Sequence, residues 1–430
     1  MSNDLPAGVH TVQLAVPDAA GVLRGKLVPS SAWPSVAESG IHMASVLYTW
    51  TPRCEIRDDD EWSDPAKGWP DMHVMPLVDD LRVVPWRPGF ALALCDTFDE
   101  EGNALPVSPR SVLQRVLAKA ATMGLEVRIG FEIEFYLLDA ETRRPRHDDI
   151  QCYGLARAAE YEDVLGPMRN DMIEFGIPIE AANVEYAPGQ VEINVRYDEA
   201  MRTADNAVLF RNSVKEIAAQ HGYLASFMAK IAHDQSGSGL HLHHSLWRDG
   251  SNVFSDNGKL SDLGRWYLGG LQRHMADLTL FGSPTPNSYK RRQPYSFCPE
   301  TASWGHDNRT VGLRVIEGSP SAVRIEQRDG ASDANPYLVM AAQIAAGLDG
   351  VERQTEPGPP TDADAYADDR AARLPADVPA AIEALRKSDL ARDVFGEDLI
   401  RVTIGTALHE HRLVTTRVSD IERDRYLDAF

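Results

Sequence analysis

Cysteine is scarce in this chain: Cys54, Cys95, Cys152 and Cys298 are the only four in 430 residues, widely spaced and without a Cys-x-x-Cys pair. That spacing argues against a disulfide framework and against a zinc knuckle. Long apolar runs are missing too. No stretch reaches the roughly 20 apolar residues that a membrane helix needs. The opening Met1-Ser2-Asn3-Asp4-Leu5-Pro6 is not the basic-then-apolar start of a secretory signal. The expectation is a cytoplasmic protein with no membrane partner. Positive charge is in deficit, with 43 Lys plus Arg against 64 Asp plus Glu and a formal charge of −21. That balance argues against nucleic acid as a partner, because such binding depends on neutralising phosphates with cations. The P-loop pattern Gly-x-x-x-x-Gly-Lys-Ser/Thr is also absent, so any nucleotide must be held differently.

What is present is an ordinary globular composition, 43% hydrophobic and 25% charged, in a chain long enough for two domains. Residues 1–105 read as a small β-rich domain: strands at Val9–Val16 and Val22–Val28 around a turn at Pro17–Gly21, a Trp-, Pro- and Asp-rich loop over 50–71, and a strand at Phe90–Cys95. Residues 106–430 begin with a helix that Ser108 is expected to cap and Gly124 to end. Helices follow at 203–221, 261–280 and 335–348, then an exposed connection over 353–378 and a helical tail. Hairpin-like turns beside the polar strands favour α+β with an antiparallel sheet.

The strand Ile129-Gly130-Phe131-Glu132-Ile133-Glu134-Phe135-Tyr136 organises the rest. Its apolar residues alternate with Glu132 and Glu134, two carboxylates that point the same way and repel unless a cation lies near. The pattern recurs. Glu185 precedes a Pro-Gly turn and a strand bearing Glu192 and Asn194; Leu240–His243 alternates after the flexible Ser236-Gly237-Ser238-Gly239; Val311–Ile316 presents Arg314; Val323–Arg328 puts Arg324, Glu326 and Arg328 on one side. Oxygen-rich ligation with a single imidazole suits Mg²⁺ or Mn²⁺. Arginines nearby suit phosphate and carboxylate groups, which guanidinium forks bind bidentately. Together these residues indicate metal-assisted phosphoryl transfer.

In order along the chain, several motifs resemble the glutamine synthetase family: Glu132-Ile133-Glu134, the run Glu185–Glu192 with Ala-Pro-Gly-Gln inside, Gly237–His243, Asn287-Ser288-Tyr289-Lys290-Arg291, Asn308-Arg309-Thr310, Arg324–Arg328 and Asn335-Pro336-Tyr337-Leu338. Val22–Lys26 resembles the opening of the family's β-grasp domain. The resemblance implies a small β-grasp domain ahead of a large catalytic domain whose antiparallel sheet forms a metal-lined funnel. It implies one metal on Glu134, Glu185 and Glu192 and another on Glu132, His241 and Glu326. It assigns Gly237, Arg291, Arg328 and the loop position Ser236 to glutamate, and Glu180, His243 and Ser245 to ATP. Arg309, Arg314 and Arg324 fall around the transferred phosphate. The implied reaction phosphorylates the γ-carboxylate of glutamate with ATP, after which an amine displaces phosphate. A homo-oligomer, a dodecamer of two hexameric rings, is also implied.

The chain departs from that pattern around the amine. The spacing between Lys290-Arg291 and Asn308-Arg309 equals that of ammonia-using members and places Phe297 where they carry a glutamate. The stretch 45–56 lacks the aspartate expected there, with Glu55 or the acids at 58–60 as possible substitutes, and Ser236 replaces a usual asparagine. Loss of these carboxylates removes charge complementarity for ammonium, while an aromatic favours an amine with a carbon substituent, such as ethanolamine, an alkylamine or an arylamine. Ordinary glutamine synthetase chemistry and a non-catalytic structural or sensory role are the alternatives. Against the latter, a protein freed from catalysis has little reason to keep carboxylates that repel without metal.

Overall fold

The structure, a computed structural model, describes residues 4–57, 62, 65–150 and 152–430. Near the N-terminus, Thr11–Pro17 and Leu23–Pro29 form an antiparallel hairpin. Asp18 closes its turn by accepting from the Ala20 and Val22 N–H groups, each at 2.9 Å, and from Arg24 at 2.8 Å. Thr11–Pro17 also runs parallel to Phe90–Phe98, beside which lie Asp71–Pro76 and then Ile41–Ala44. The core of this sheet contains Trp33, Tyr48, Val74 and Ala93 and, from the far end of the chain, Val402.

A second sheet holds nine strands, with Trp304–His306, Leu313–Ile316, Arg324–Gln327, Leu240–Arg248, Glu126–Asp139, Gln190–Glu199 and Ile179–Val184 side by side. All these neighbours are antiparallel except the first two, which are parallel. The expected antiparallel α+β sheet is therefore present, with one parallel pair at its edge. Alternation decides its faces. Ile129, Phe131, Ile133 and Phe135 are buried against helix Ala200–Gln220, where Phe210 meets the rings of Phe131 and Phe135 at 5.8 and 6.2 Å. Glu132 and Glu134 are left on the opposite face.

One sequence expectation is corrected. Ser108 precedes helix Pro109–Thr122, but its side chain makes no cap; the buried hydroxyl bonds Tyr48 instead. Residues 353–378 form the expected connection, largely exposed, and it is tied down along its length. Asn308 donates to the Thr361 and Ala363 carbonyls at 3.0 and 2.8 Å, and Trp304 donates to the Gly358 carbonyl at 2.7 Å. These bonds strap the segment across the sheet edge. Asn335 joins the two bodies. Its Oδ1 caps helix Pro336–Arg353, while its Nδ2 donates to the Asp18 and Ala19 carbonyls at 3.0 and 3.1 Å.

Helices Asp262–His274 and Pro336–Arg353 touch backbone to backbone at glycines. A Cβ on Gly350 would lie 2.2 Å from the Trp266 carbonyl oxygen and 2.5 Å from the Gly270 nitrogen. Backbone cannot rotate away, so Gly350→Ala should cost about 1–3 kcal/mol by overpacking. The urea midpoint measures this, and an unchanged midpoint would show that the helices can part freely.

Candidate active site

Five adjacent strands bring the polar residues into one row. Glu134 stands opposite Glu192, Glu132 opposite Asn194 on one side and His241 on the other, and Glu326 opposite His243 and Arg314. Glu185 enters from the turn before Gln190–Glu199, oriented by the Asn183 carboxamide at 2.9 Å and the Tyr186 N–H at 3.2 Å. Asn194 donates to Glu192 at 3.1 Å, and Gly239 N–H to Glu134 at 2.6 Å. Three donor groups result, each with ligand atoms within 4.8 Å of one another: Glu134, Glu185 and Glu192; Glu132, Glu192 and His241; Glu132, His243 and Glu326.

The first group is the predicted trio. The second predicted trio, Glu132, His241 and Glu326, also lies together, with His243 beside it. His241 Nδ1 lies 3.6 Å from both Glu132 and Glu326, but His243 Nε2 comes nearer to Glu132, at 3.1 Å. Residues 241 and 243 share a face, so two imidazoles reach Glu132 where one was expected.

Electrostatics divides the row. Burial, reinforced by Glu134, pushes the Glu185 carboxyl up to about 7. Burial and the charges of Glu132, Glu134 and Glu185 push Glu192 up to about 9. Burial also opposes ionisation of Glu132, yet the imidazoles of His241 and His243 beside it hold it well below the usual carboxylate range. At Glu326 burial is outweighed by His243, Arg328 and His241, which bring it to about 2. A crowd of oxygen donors that resist ionising together, with imidazole at one end, fits hard divalent cations.

Arginines surround the other end. Glu326, fully buried, accepts from Arg314 at 3.0 Å and from Arg328. Arg314 also donates to Asp307 through Nε at 3.1 Å. Arg324 Nε donates to His243 Nδ1 at 3.3 Å. Arg309 is exposed, near enough for its charge to act on Tyr153. Beside them a cavity of about 290 Å³ is lined by Glu180, His243, Ser245 and Arg324 together with Gly130 and Tyr197. It opens directly onto Glu132. Arg291 is buried across Gly237 and Gly239, where a Cβ would lie 2.5 Å from its Cγ and 3.0 Å from its Nη2 respectively. Only glycine permits that approach. Ser236 contributes its carbonyl, which accepts from the Tyr136 hydroxyl at 2.7 Å. Phe297 is 58% exposed with φ +58° on an irregular loop. Glu55 is engaged by Thr51 at 3.2 Å and His409 at 3.4 Å, and residues 58–60 lie outside the described part of the chain.

Several site residues escaped sequence reasoning. Trp247 donates to Ser245 at 2.9 Å; the Tyr197 ring stacks with it at 6.1 Å, and the Arg128 guanidinium lies over its ring at 4.3 Å. Arg128 and Trp247 simply continue the faces that carry Glu132 and His243, so extending the alternation in both directions finds them. Tyr153 and Cys152 feel the charges of Glu185 and Glu192, and no local pattern marks them.

A row of carboxylates and imidazoles beside a cavity that Arg324 enters suits a phosphoryl-transferring ligase. Residues 106–426 match the family model for the glutamine synthetase catalytic domain. The chain is 35% identical to the glutamate–isopropylamine ligase of Pseudomonas sp, over 98% of this chain and 95% of that one. It is also 35% identical to the gamma-glutamylethanolamide synthetase GlnA4 of Streptomyces coelicolor, over 91% and 87%. Among solved structures, the GmaS/ADP complex superposes with a TM-score of 0.89 at 30% identity, covering 98% of this chain and 97% of that one. The chain belongs to the glutamine synthetase family, in its glutamate–amine ligase branch, and is an ATP-dependent carbon–nitrogen ligase. That family uses ATP and divalent metals. No helix among the described residues is long and apolar enough to cross a membrane.

Proposed function

We propose that the enzyme joins the γ-carboxylate of glutamate to a primary organic amine through a γ-glutamyl phosphate, releasing ADP and phosphate. The observation that carries this reading is the juxtaposition of the carboxylate groups with the cavity that Glu132, His243 and Arg324 line. Mg²⁺ or Mn²⁺ fits the donors. Glu134, Glu185 and Glu192 would hold one ion, and Glu132, Glu326 and His241, with His243 close by, another. When bound, the ions offset phosphate charge. ATP fills the cavity against Glu180, His243 and Ser245, and Arg309, Arg314 and Arg324 stabilise the phosphoryl group in flight. Glutamate sits at Gly237 with Arg291 and Arg328 on its carboxylates, beside the Ser236 position. The rest of the assignment is a β-grasp domain over 1–105, a catalytic domain over 106–430, and a dodecamer of two hexameric rings.

Phe297 directs the amine choice. An exposed aromatic in place of a carboxylate leaves ammonium without its counter-charge and offers apolar surface worth about 25 cal/mol per Å² to a carbon substituent. Two similar proteins are named for isopropylamine and ethanolamide products or substrates, which supports an organic amine here. Steady-state phosphate release with a panel of ethanolamine, short alkylamines, arylamines and ammonia tests the reading. At least one organic amine should exceed ammonia in kcat/KM; ammonia outperforming all of them would return the enzyme to glutamine synthesis.

A further inference from the structure

Beside the carboxylate row, the segment 235–239 has consecutive carbonyls held by side chains from separate elements. The Lys230 ammonium donates to the Gln235 carbonyl. The Tyr136 hydroxyl donates to the Ser236 carbonyl at 2.7 Å, and the Gln190 carboxamide to the Gly237 carbonyl at 3.0 Å. Backbone groups complete the hold: Ser238 N–H donates to the Ala229 carbonyl at 2.8 Å, and Gly239 N–H to Glu134 at 2.6 Å. A trans peptide points its C=O and N–H in opposite directions, so fixing the carbonyls of 235 and 236 also fixes the N–H directions of Ser236 and Gly237.

Lys230 is the unusual member. It is only 8% exposed, and burial pulls its ammonium below the usual lysine range. Burying an ammonium is costly, so a lysine kept there for packing alone is a poor solution. Its backbone is gripped from both sides by one side chain: Lys230 N–H donates to Asn287 Oδ1 at 2.9 Å, and Asn287 Nδ2 donates to the Lys230 carbonyl at 3.0 Å. Asn287 immediately precedes the turn Ser288–Arg291, and Arg291 is the guanidinium packed across Gly237.

We propose that Lys230, seconded by Tyr136, is a positioning residue for glutamate: it clamps the 235–239 segment and ties it through Asn287 to Arg291. The clamp acts through the segment rather than on the substrate, and it rests on the assignment of Gly237 and Arg291 to glutamate. A seat fixed in advance spares the ordering cost at binding, so its loss falls on affinity more than on turnover.

Steady-state kinetics of Lys230→Met and Tyr136→Phe, varying glutamate, ATP and amine in turn, test the proposal. Each variant should raise the glutamate KM on the order of tenfold, the scale of one lost hydrogen bond. The ATP KM and kcat should stay within about twofold of the parent, since the phosphate cavity is untouched. The double variant should fall short of the product of the two effects, because both release the same segment. Tyr136→Phe keeps the shape of its site and carries the test if Lys230→Met does not fold. An unchanged glutamate KM, or a rise in every KM together with a lower Tm, overturns the clamp. Arg291→Lys separates the two assignments. If it too leaves the glutamate KM unchanged, the seat itself is misplaced and the clamp falls with it; if it raises that KM while Lys230→Met does not, only the clamp falls.

Discussion

Glu326→Gln should lower the rate of phosphate release by roughly 10²–10³-fold or more, the range found when one preorganised electrostatic group is removed. Glu326 is fully buried, faces His241 at 3.6 Å, and accepts from Arg314 at 3.0 Å and from Arg328. Neutralising it removes one negative charge and replaces one of the two acceptor oxygens facing Arg314 and Arg328 with an N–H donor. Glutamine retains the shape and can still accept through its carbonyl, so loss of activity in a folded protein isolates the charge. Glu326→Ala goes further, leaving buried arginines unpaired, and should destabilise by about 3–5 kcal/mol as well as abolishing phosphate release. Steady-state phosphate assays alongside thermal melts distinguish the two. Unchanged turnover in Glu326→Gln would remove this carboxylate from the reaction.

Metal addition to the metal-free protein near pH 8 should release about one proton per chain and raise Tm. Glu192, pushed up to about 9, still holds most of its proton at that pH, whereas Glu185, at about 7, has lost most of its own. Both values lie above the ordinary carboxylate value of 4.5. Their contribution to stability is therefore fully present below about 4.5 and declines as pH rises through about 7 and then about 9. Glu326, lowered to about 2, works in the other direction: its contribution is present above about 4.5 and is lost as pH falls toward 2. Without metal, Tm should thus fall between pH 6 and 9, and Mg²⁺ or Mn²⁺ should flatten that slope. Calorimetry in two buffers of different ionisation enthalpy counts the proton. Metal binding with no proton release would show that the carboxylates are already ionised and that the repulsion among them is relieved otherwise.

Most of the fold and the row of carboxylates and histidines were legible in the sequence because a strand has a period of two. Once Ile129, Phe131, Ile133 and Phe135 are assigned to the core, Glu132 and Glu134 have nowhere to go but the other face, and the same logic places Glu192, His241 and Glu326. Register between strands is a different matter. Only pairing reveals that Glu134 meets Glu192, that His243 as well as His241 reaches Glu132, and that Glu326 faces Arg314. Local patterns likewise could not give the straps. Thr361 and Ala363 satisfy Asn308 some fifty positions away, and Asn335 reaches back to Asp18 and Ala19. The sequence alone determined which strands carry carboxylates, imidazoles and arginines on one face, since residue type and alternation are local properties. Tertiary structure alone decided which carboxylates repel, which imidazole sits nearest Glu132, and that Lys230 is sealed beneath the segment 235–239, because charge interactions and burial depend on distances the chain sets only when it folds.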